Sequence, residues 1–228
     1  MNAVSSALQK KSRIQAGRVA QLATTAEVLA IYAGILLYIW RWQYSHPHAW
    51  MLLGAMILAS HVAHHDTLRS MGLLGSELRA SAQIVLPIAA AVFVPLVIYG
   101  LLARRLVPAT PSPRAWFSLG AYAVWCAVQQ YLTQSYFHRR LMKVVRSPRV
   151  ASSLIGLMFG AAHIPNPVLM GATAVGGFIF AEVFRRHPNI WPLALAQAVG
   201  GFLIAALTPA AVIHNMRVGP GYFFYGIR

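Results

Sequence analysis

Polar side chains interrupt the hydrophobic stretches of this chain at depths where a lipid bilayer disfavours them. Gln129, Gln130 and Gln134 lie in one hydrophobic stretch, His163 lies in the next, and Gln197 lies in the last. Polar groups at membrane depth are costly, so they usually face the interior of a helix bundle and often mark a functional site. The three stretches therefore predict a buried polar site, and none of these five candidate residues is a carboxylate.

The composition is typical of a multi-pass helical membrane protein. Of the 228 residues, 58% are hydrophobic and only 10% are charged, whereas roughly a quarter of the residues are charged in an average soluble domain. A helix needs about 20 apolar residues to cross the hydrocarbon core, so we expect an all-α transmembrane bundle of about seven (six to eight) spans. The expected spans are residues 26–40, 50–63, 82–102, 116–137, 151–164, 167–184 and 190–207.

The chain is interpreted as one transmembrane domain, residues 24–213, between a basic N-terminal segment (1–23) and a C-terminal tail (214–228). The N-terminal segment shows no signal-peptide pattern, so the first span is expected to remain as an anchor. The segment itself fits either a surface-lying basic helix or a disordered tail. Glycines recur in the last three spans, which are therefore expected to form the tightly packed core of the bundle.

Basic residues concentrate on one side of the predicted bundle. If the N-terminus is cytoplasmic, thirteen of the 19 Lys and Arg residues lie inside and six lie outside, as the positive-inside rule favours. We therefore predict a multi-pass membrane protein, in the inner or plasma membrane if bacterial, with a cytoplasmic N-terminus. The net charge of +15 is assigned to contacts with the lipid bilayer, and no nucleic-acid partner is expected.

Two other groups of ionisable residues are candidate sites. His61 and His65 are four residues apart, a spacing usable for a metal, but metal sites normally need three or four ligands, so polar capping is favoured and no metal or cofactor is expected. Apart from Glu27, which lies at the edge of the first predicted span, Glu182 is the only acid within a predicted span. It either reaches the pocket as a displaced acid or pairs at the interface with Arg185 and Arg186, and pairing is favoured.

A short loop and three blocks between residues 67 and 202 have a distinctive order: TLRSMGLL, then QQYLTQSYFHRRL, FGAAHIPNP and NIWPLALAQAVGG. They resemble the motifs of the CPBP family, the CAAX-protease and bacteriocin-processing intramembrane peptidases. The first block is similar to the family's Glu-Glu-x-x-x-Arg motif, the second to its Phe-x-x-x-His motif and the third to the block with His-x-x-x-Asn, and TLRSMGLL looks like a short family loop. The order and spacing of the blocks carry the resemblance, because Phe-x-x-x-His alone is a weak pattern.

The resemblance implies a glutamate-activated water that attacks a peptide bond near the membrane, with His and Asn stabilising the tetrahedral intermediate. Carried across, the glutamate pair falls on Gln129 and Gln130, and the arginine falls on Gln134. The first histidine is His163, preceded by the family's phenylalanine at Phe159. An amide keeps hydrogen bonding but cannot exchange protons near neutral pH, so the first motif has lost its general base.

In the third block, the family's second histidine falls on Gln197 and its asparagine falls on Gly201. The expected catalytic positions are therefore His163, Gln129, Gln130 and Gln197, of which only His163 matches the family. The expected pocket residues are Gln134, Phe159, Asn166 and Glu182.

These positions indicate an intramembrane endopeptidase homologue whose hydrolysis is reduced or absent. One alternative is an active protease that uses His163 as its base, with Glu182 reaching the pocket. Another is a non-catalytic membrane binding or assembly protein that holds a lipidated or transmembrane partner. A small-solute transporter is disfavoured because no internal repeat is visible.

Overall fold

The computed structural model describes residues 2–106 and 112–224, with side chains from residue 15 onward. This part of the chain is helical and contains no strand, which confirms the expected all-α membrane bundle. The α-helices in chain order are α1 (Asn2–Leu37), α2 (Gln43–Ser45), α3 (Ala49–Ala63), α4 (Leu78–Leu102), α5 (Pro113–Gln130), α6 (Arg139–Val144), α7 (Pro148–Ala161), α8 (Pro167–Arg186), α9 (Trp191–Leu207), α10 (Ala210–Ile213) and α11 (Pro220–Phe223).

Three helical stretches of the described chain are long and apolar enough to cross a membrane: Gln15–Ser45, Leu78–Leu102 and Pro167–Arg186. Large apolar side chains such as Leu102 and Phe117 point away from the protein, with 81% and 79% of their surface exposed. Such surfaces are stable only in contact with lipid or another protein. The number of spans and the side that the N-terminus occupies stay predictions.

The N-terminal basic segment is helical from Asn2 and continues without a break into the first long apolar stretch, as part of α1. At the other end of the chain, the predicted tail is folded against the bundle. The Gly219 amide donates to the Ile164 carbonyl over 2.8 Å, and the backbone of Gly219 lies against Ile39.

Helix starts follow the local sequence. The Ser112 hydroxyl accepts from the Ala115 amide over 3.2 Å, and Pro113 occupies the first turn, where its missing N–H costs nothing. Asn166 and Pro167 repeat this arrangement at the start of α8, where the Asn166 side chain accepts from the Leu169 amide over 3.3 Å.

A π-helical segment, Tyr131–His138, joins α5 to α6, so a single continuous helix runs from Pro113 to Val144. The sequence predicted a span that ended at residue 137, because basic residues follow there. The structure instead carries the helix through those basic residues. A π-helical turn shifts the register of the side chains that follow it, and such turns are frequent at functional sites.

Glycines bring α7 and α8 into close contact. A Cβ added at Gly156 would lie 2.5 Å from the Ala174 carbonyl oxygen, and one added at Gly177 would lie 3.2 Å from the Gly156 Cα. Helix α9 differs from the expectation, because its main neighbours are α4 and α5 rather than α7 and α8. Its Gly200 lies against Phe93 of α4. The expected core of three glycine-lined helices is therefore divided between two packing interfaces.

A buried ionic group ties α1, α3 and α6 together, and we name it the Arg140 cluster. Arg140 is fully buried and lies 2.7 Å from Asp66 and 3.2 Å from Glu27. The Ser60 hydroxyl lies 2.8 Å from Arg140 Nη2 and donates to Glu27. The remaining members are His61, which lies 2.8 Å from Asp66, Tyr136, which donates to Glu27 over 2.8 Å, and Arg139, which donates to Asp66.

Asp66 is ionised within this cluster. Burial raises the pKa of Asp66, but hydrogen bonds from Arg139, Arg140 and His61 outweigh burial and hold the pKa well below its usual range. Because its folded-state pKa is lowered, the stability that Asp66 contributes is present at neutral pH and is lost only as the pH falls through that lowered pKa.

Removing the cation of the Arg140 cluster is expected to destabilise the fold strongly. Arg140→Met should lower the free energy of unfolding in detergent by about 3–5 kcal/mol, because it leaves two carboxylates without their buried partner. Arg186→Met is the matched control: Arg186 pairs with Glu182 over 3.0 Å, but half of its side chain is exposed, so its loss should cost less than about 1 kcal/mol. Equal effects of the two variants would contradict a structural role for the cluster.

The α7–α8 contact predicts a size limit at Gly156. Gly156→Ala should lower the free energy of unfolding by about 1–3 kcal/mol, because the added methyl group collides with backbone of α8. Gly171→Ala on α8 is the control, since nothing lies within 4 Å of a Cβ added there, and it should leave stability equal or raised by up to about 1 kcal/mol. A chemical-unfolding series on both variants measures the difference.

Candidate functional site

Four glutamine side chains from α5, the π-helical segment and α9 form one hydrogen-bonded chain. Gln134 Nε2 donates to Gln130 Oε1 over 3.4 Å, and Gln130 Nε2 donates to Gln197 Oε1 over 2.6 Å. Gln197 Nε2 in turn donates to Gln129 Oε1. Gln130 and Gln134 are fully buried, whereas Gln129 and Gln197 are half-buried. We name this group the amide chain.

The open end of the amide chain lies at a cavity of about 1360 Å³ between the helices. Most of the cavity wall is apolar, with side chains from α1, α3, α4, α5, α7, α8 and α9. Gln130 and Gln134 do not reach it. The amide, hydroxyl and imidazole side chains that line it, apart from tyrosines, are Gln43, Gln129, Thr133, His163, Thr173, Gln197 and Asn215.

His163 lies just beyond the end of α7 and lines the same cavity as Gln129 and Gln197. Its Nδ1 lies 2.7 Å from the Phe159 carbonyl oxygen, and the Phe159 ring meets the imidazole edge-on at a centroid distance of 5.1 Å. The Thr173 hydroxyl lies 3.3 Å from Nδ1 but donates to the Leu169 carbonyl over 2.6 Å. Because the Phe159 carbonyl oxygen can only accept, Nδ1 carries the proton of this hydrogen bond, and the lone pair of Nε2 is left available.

Tyr122 occupies the space beside Gly201, the position of the family's asparagine. A Cβ added to Gly201 would overlap the Tyr122 hydroxyl and would lie 2.8 Å from its Cζ atom. Tyr122 lines the cavity, as Gly201 does. Any side chain at position 201 therefore competes for volume with a residue that the sequence motifs did not mark.

Two of the expected pocket residues, Asn166 and Glu182, make their hydrogen bonds and ion pairs away from the cavity. The Asn166 amide donates to the Ile213 and Arg217 carbonyl oxygens over 2.9 and 3.2 Å, and so it holds the C-terminal segment. Glu182 pairs with Arg185 over 2.8 Å and accepts from the Ser152 hydroxyl over 2.7 Å. Neither side chain lines the cavity. Of the other two expected pocket residues, Phe159 lines the cavity, whereas Gln134 lies behind the cavity wall.

His61 and His65, the candidate metal ligands, do not lie together as a metal site would require. Helix α3 ends at Ala63, so His61 and His65 do not share a helical face; His65 is exposed in the following turn, with a φ of 53°. His61 Nδ1 is bonded to Asp66 in the Arg140 cluster. Within the described residues, no three His, Cys, Asp or Glu side chains converge as metal ligands would.

Every acid of the chain is committed to a basic partner. The chain has four Asp and Glu residues. Glu27 and Asp66 belong to the Arg140 cluster, and Glu182 pairs with Arg185 and Arg186. Glu77 lies 2.9 Å from His187 Nδ1. None of the four lines the cavity, so the cavity offers amide donors and acceptors and one imidazole, without a carboxylate.

Sequence reasoning identified the amide positions but missed Tyr122 and the Arg140 cluster. A signal for Tyr122 was present: Tyr122, Cys126 and Gln129 are spaced four and three apart, which places them along one face of α5. For the cluster, the signals were Glu27, an acid at the edge of an apolar span, and His61, which the sequence marked only as a weak candidate for metal binding. Its partners come from segments far apart in sequence, and no local pattern connects them.

The comparison with protein-family models gives one match. Residues 110–203 match the family described as type II CAAX prenyl endopeptidase Rce1-like. The match confirms the predicted resemblance to the CPBP/CAAX protease family, and it covers rather less than half of the chain. It contains the amide chain, His163, Phe159, Gly201 and Tyr122, and it ends before the C-terminal segment. Comparisons with curated proteins and with solved structures give no match.

The overlap between positions 122 and 201 predicts a strong coupling between them. Gly201→Ala should lower the free energy of unfolding by about 1–3 kcal/mol, because the new methyl group collides with the tyrosine ring. In the Tyr122→Ala background the same change should cost little, so a double-mutant cycle should give a coupling of about 1–3 kcal/mol. Gly176→Ala is the control, since its nearest contact would be 4.0 Å away. Additive effects would contradict the overlap.

Proposed function

We propose that this protein is a CPBP-type intramembrane-protease homologue that binds a membrane-proximal peptide in its central cavity and hydrolyses it weakly or not at all. The observation that carries the proposal is the amide chain. It occupies the positions of the family's glutamate pair and second histidine, and it joins them by hydrogen bonds that need no charge. Its two members that line the cavity, Gln129 and Gln197, retain hydrogen-bonding capacity where the general base of the reaction is missing.

The missing base has a definite cost for catalysis. A positioned general base contributes roughly 10²–10⁴-fold to the rate of such a reaction. Glutamine cannot take a proton from water near neutral pH, and each carboxylate of the chain is paired outside the cavity. Hydrogen-bond donors remain, and these can hold a peptide carbonyl in the bound state. Binding therefore survives the substitutions better than hydrolysis does.

The proposed setting is a membrane in which the N-terminus and the Arg140 cluster lie on the cytoplasmic side. The basic residues of α6 and the last turn of α8 support this orientation, because Lys and Arg favour the cytoplasmic ends of spans. The bilayer is then the principal environment of the protein. The ligand would enter the cavity from the membrane as part of an anchored peptide or protein.

A second candidate is an active protease with His163 as its base. The observation in its favour is the tautomer: Nδ1 donates to the Phe159 carbonyl, so the Nε2 lone pair is free for a proton. In this version Glu182 would have to leave its arginine partners to assist, which the pairs with Arg185 and Arg186 disfavour. The two candidates make opposite predictions for one set of variants.

Restoring the glutamates tests the proposal. We expect purified wild-type protein in lipid nanodiscs to bind a membrane-anchored peptide with little or no cleavage, and Gln129→Glu/Gln130→Glu to cleave it at least about tenfold faster, because a carboxylate base is returned. Peptide cleavage is followed by mass spectrometry. The matched control is Gln43→Glu, which puts the same carboxylate at another glutamine of the cavity wall and should give no gain.

Two more variants separate the candidates. If wild-type protein cleaves the peptide as fast as the Gln129→Glu/Gln130→Glu variant does, and His163→Ala abolishes that cleavage, the proposed loss of hydrolysis is wrong and the His163 protease is favoured. Glu182→Gln should leave cleavage by the restored enzyme unchanged, because Glu182 lies outside the cavity. A gain of cleavage found only with the restored glutamates would eliminate the His163 candidate.

A further inference from the structure

The amide chain is directional, and its direction leaves a hydrogen-bond donor at the cavity. Each amide donates its Nε2 to the Oε1 of the next one, from Gln134 through Gln130 and Gln197 to Gln129. Gln129 Nε2 then has no protein partner in the described part of the chain. Hydrogen bonds in such a series polarise one another, by roughly 10–30% per bond, which strengthens the last donor.

The cavity around this donor carries no formal charge. Among the described residues that line it, none is Asp, Glu, Lys or Arg. A carboxylate or an ammonium group bound here would be desolvated without a partner, which is strongly unfavourable. A hydrogen-bonding group without charge avoids that penalty, because the Gln129 donor satisfies an acceptor directly.

His163 adds the complementary group to the same cavity. Its Nδ1 is bonded to the Phe159 carbonyl, so Nε2 is an acceptor. The wall thus offers the Gln129 amide donor and the His163 imidazole acceptor. Of the other amides on it, Gln43 donates to the Ile39 carbonyl, and Asn215 lies in the C-terminal segment. A secondary amide carries both the C=O and the N–H that these groups can bind, whereas an ester carries the acceptor alone.

The size and lining of the cavity indicate what the remaining part of the ligand is. At about 1360 Å³, it is larger than the roughly 300–1,000 Å³ typical of small-molecule pockets. Apolar side chains from seven helices line it, including Trp50 and Trp125. A long hydrocarbon chain fills such a space by apolar burial, at about 0.8 kcal/mol for each buried CH₂.

From this combination we infer that the part of the ligand held in the cavity is a long apolar chain bearing one uncharged amide group, whose carbonyl oxygen accepts from Gln129 Nε2. The inference rests on the proposed binding function and specifies its ligand. It excludes a free charged terminus from the cavity, because no described residue that lines the cavity carries a charge that would offset the desolvation. Gln129 is then the donor that holds the neutral carbonyl.

Tryptophan quenching measures this selectivity in the full-length protein in nanodiscs. The probes share one brominated hexadecyl chain and carry an N-methylamide, a carboxylate or a trimethylammonium head group. Trp50 and Trp125 line the cavity but are more than half exposed, so probe in the bilayer also reaches them. Occupancy is therefore the part of the quenching that is lost in the Trp50→Phe/Trp125→Phe variant and that an excess of the unbrominated probe reverses. A mildly alkaline pH keeps the carboxylate ionised.

We expect the amide probe to half-saturate the protein at roughly one tenth of the concentration that either charged probe needs. Gln129→Leu should raise the half-saturation concentration for the amide probe about fivefold, because one hydrogen bond is lost. It should leave the trimethylammonium probe unchanged, because that head group cannot accept a hydrogen bond. Gln129→Glu keeps the shape of the side chain but removes the donor, so this second variant should also raise the half-saturation concentration for the amide probe. Gln43→Leu, elsewhere on the cavity wall, should have no effect.

Equal binding of the amide and carboxylate probes would overturn the inference. So would an amide affinity that is unchanged in both Gln129 variants, because the cavity would then be filled by hydrocarbon without recognition of the head group. Thermal unfolding of each variant verifies that it is folded. The result is separable from the proposed function: quenching reports the ligand, whereas cleavage by the Gln129→Glu/Gln130→Glu variant reports the lost general base.

Discussion

The arrangement of the first half of the bundle depends on one buried cation. Arg140 is fully buried, yet it is placed at the junction where α1 supplies Glu27 and the segment after α3 supplies Asp66. A buried guanidinium is tolerated only where carboxylates and hydroxyls surround it, so the three segments cannot separate without exposing an unpaired charge to an apolar environment. Arg140 lies two residues after the π-helical segment, in the same continuous helix, and the ionic cluster therefore also fixes the helix that carries Gln129, Gln130 and Gln134.

The helices were predictable from the sequence because apolar length and proline positions are local signals. Expected span 82–102 lies within the observed helix Leu78–Leu102, and expected span 167–184 begins at the Pro167 that starts α8. The neighbours of each helix were not predictable in the same way. Gly200 and Gly201 indicated close packing, but a glycine does not specify which partner approaches it, and here the partners are Phe93 and Tyr122.

In the candidate site, too, the residues could be identified from the sequence, whereas their contacts could not. Gln129, Gln130, Gln134 and Gln197 were identifiable because a polar residue in an apolar span is conspicuous, and the structure joins them in one hydrogen-bonded chain. Asn166 was equally conspicuous, yet its side chain caps α8 and holds the Ile213 and Arg217 carbonyls. Residue type alone cannot separate these uses, because an amide serves a cap and a ligand with the same atoms.

The separation of charge from the cavity links stability to function. A carboxylate base in the cavity would have to come from one of the four acids, and each of them is held by an arginine or histidine elsewhere. Releasing Glu27 or Asp66 would also leave the charge of Arg140 only partly neutralised. Such a move would therefore lower the stability of the fold as well as break an ion pair. The fold therefore opposes recruiting an acid for hydrolysis, whereas the amide chain needs no such recruitment to hold a neutral group.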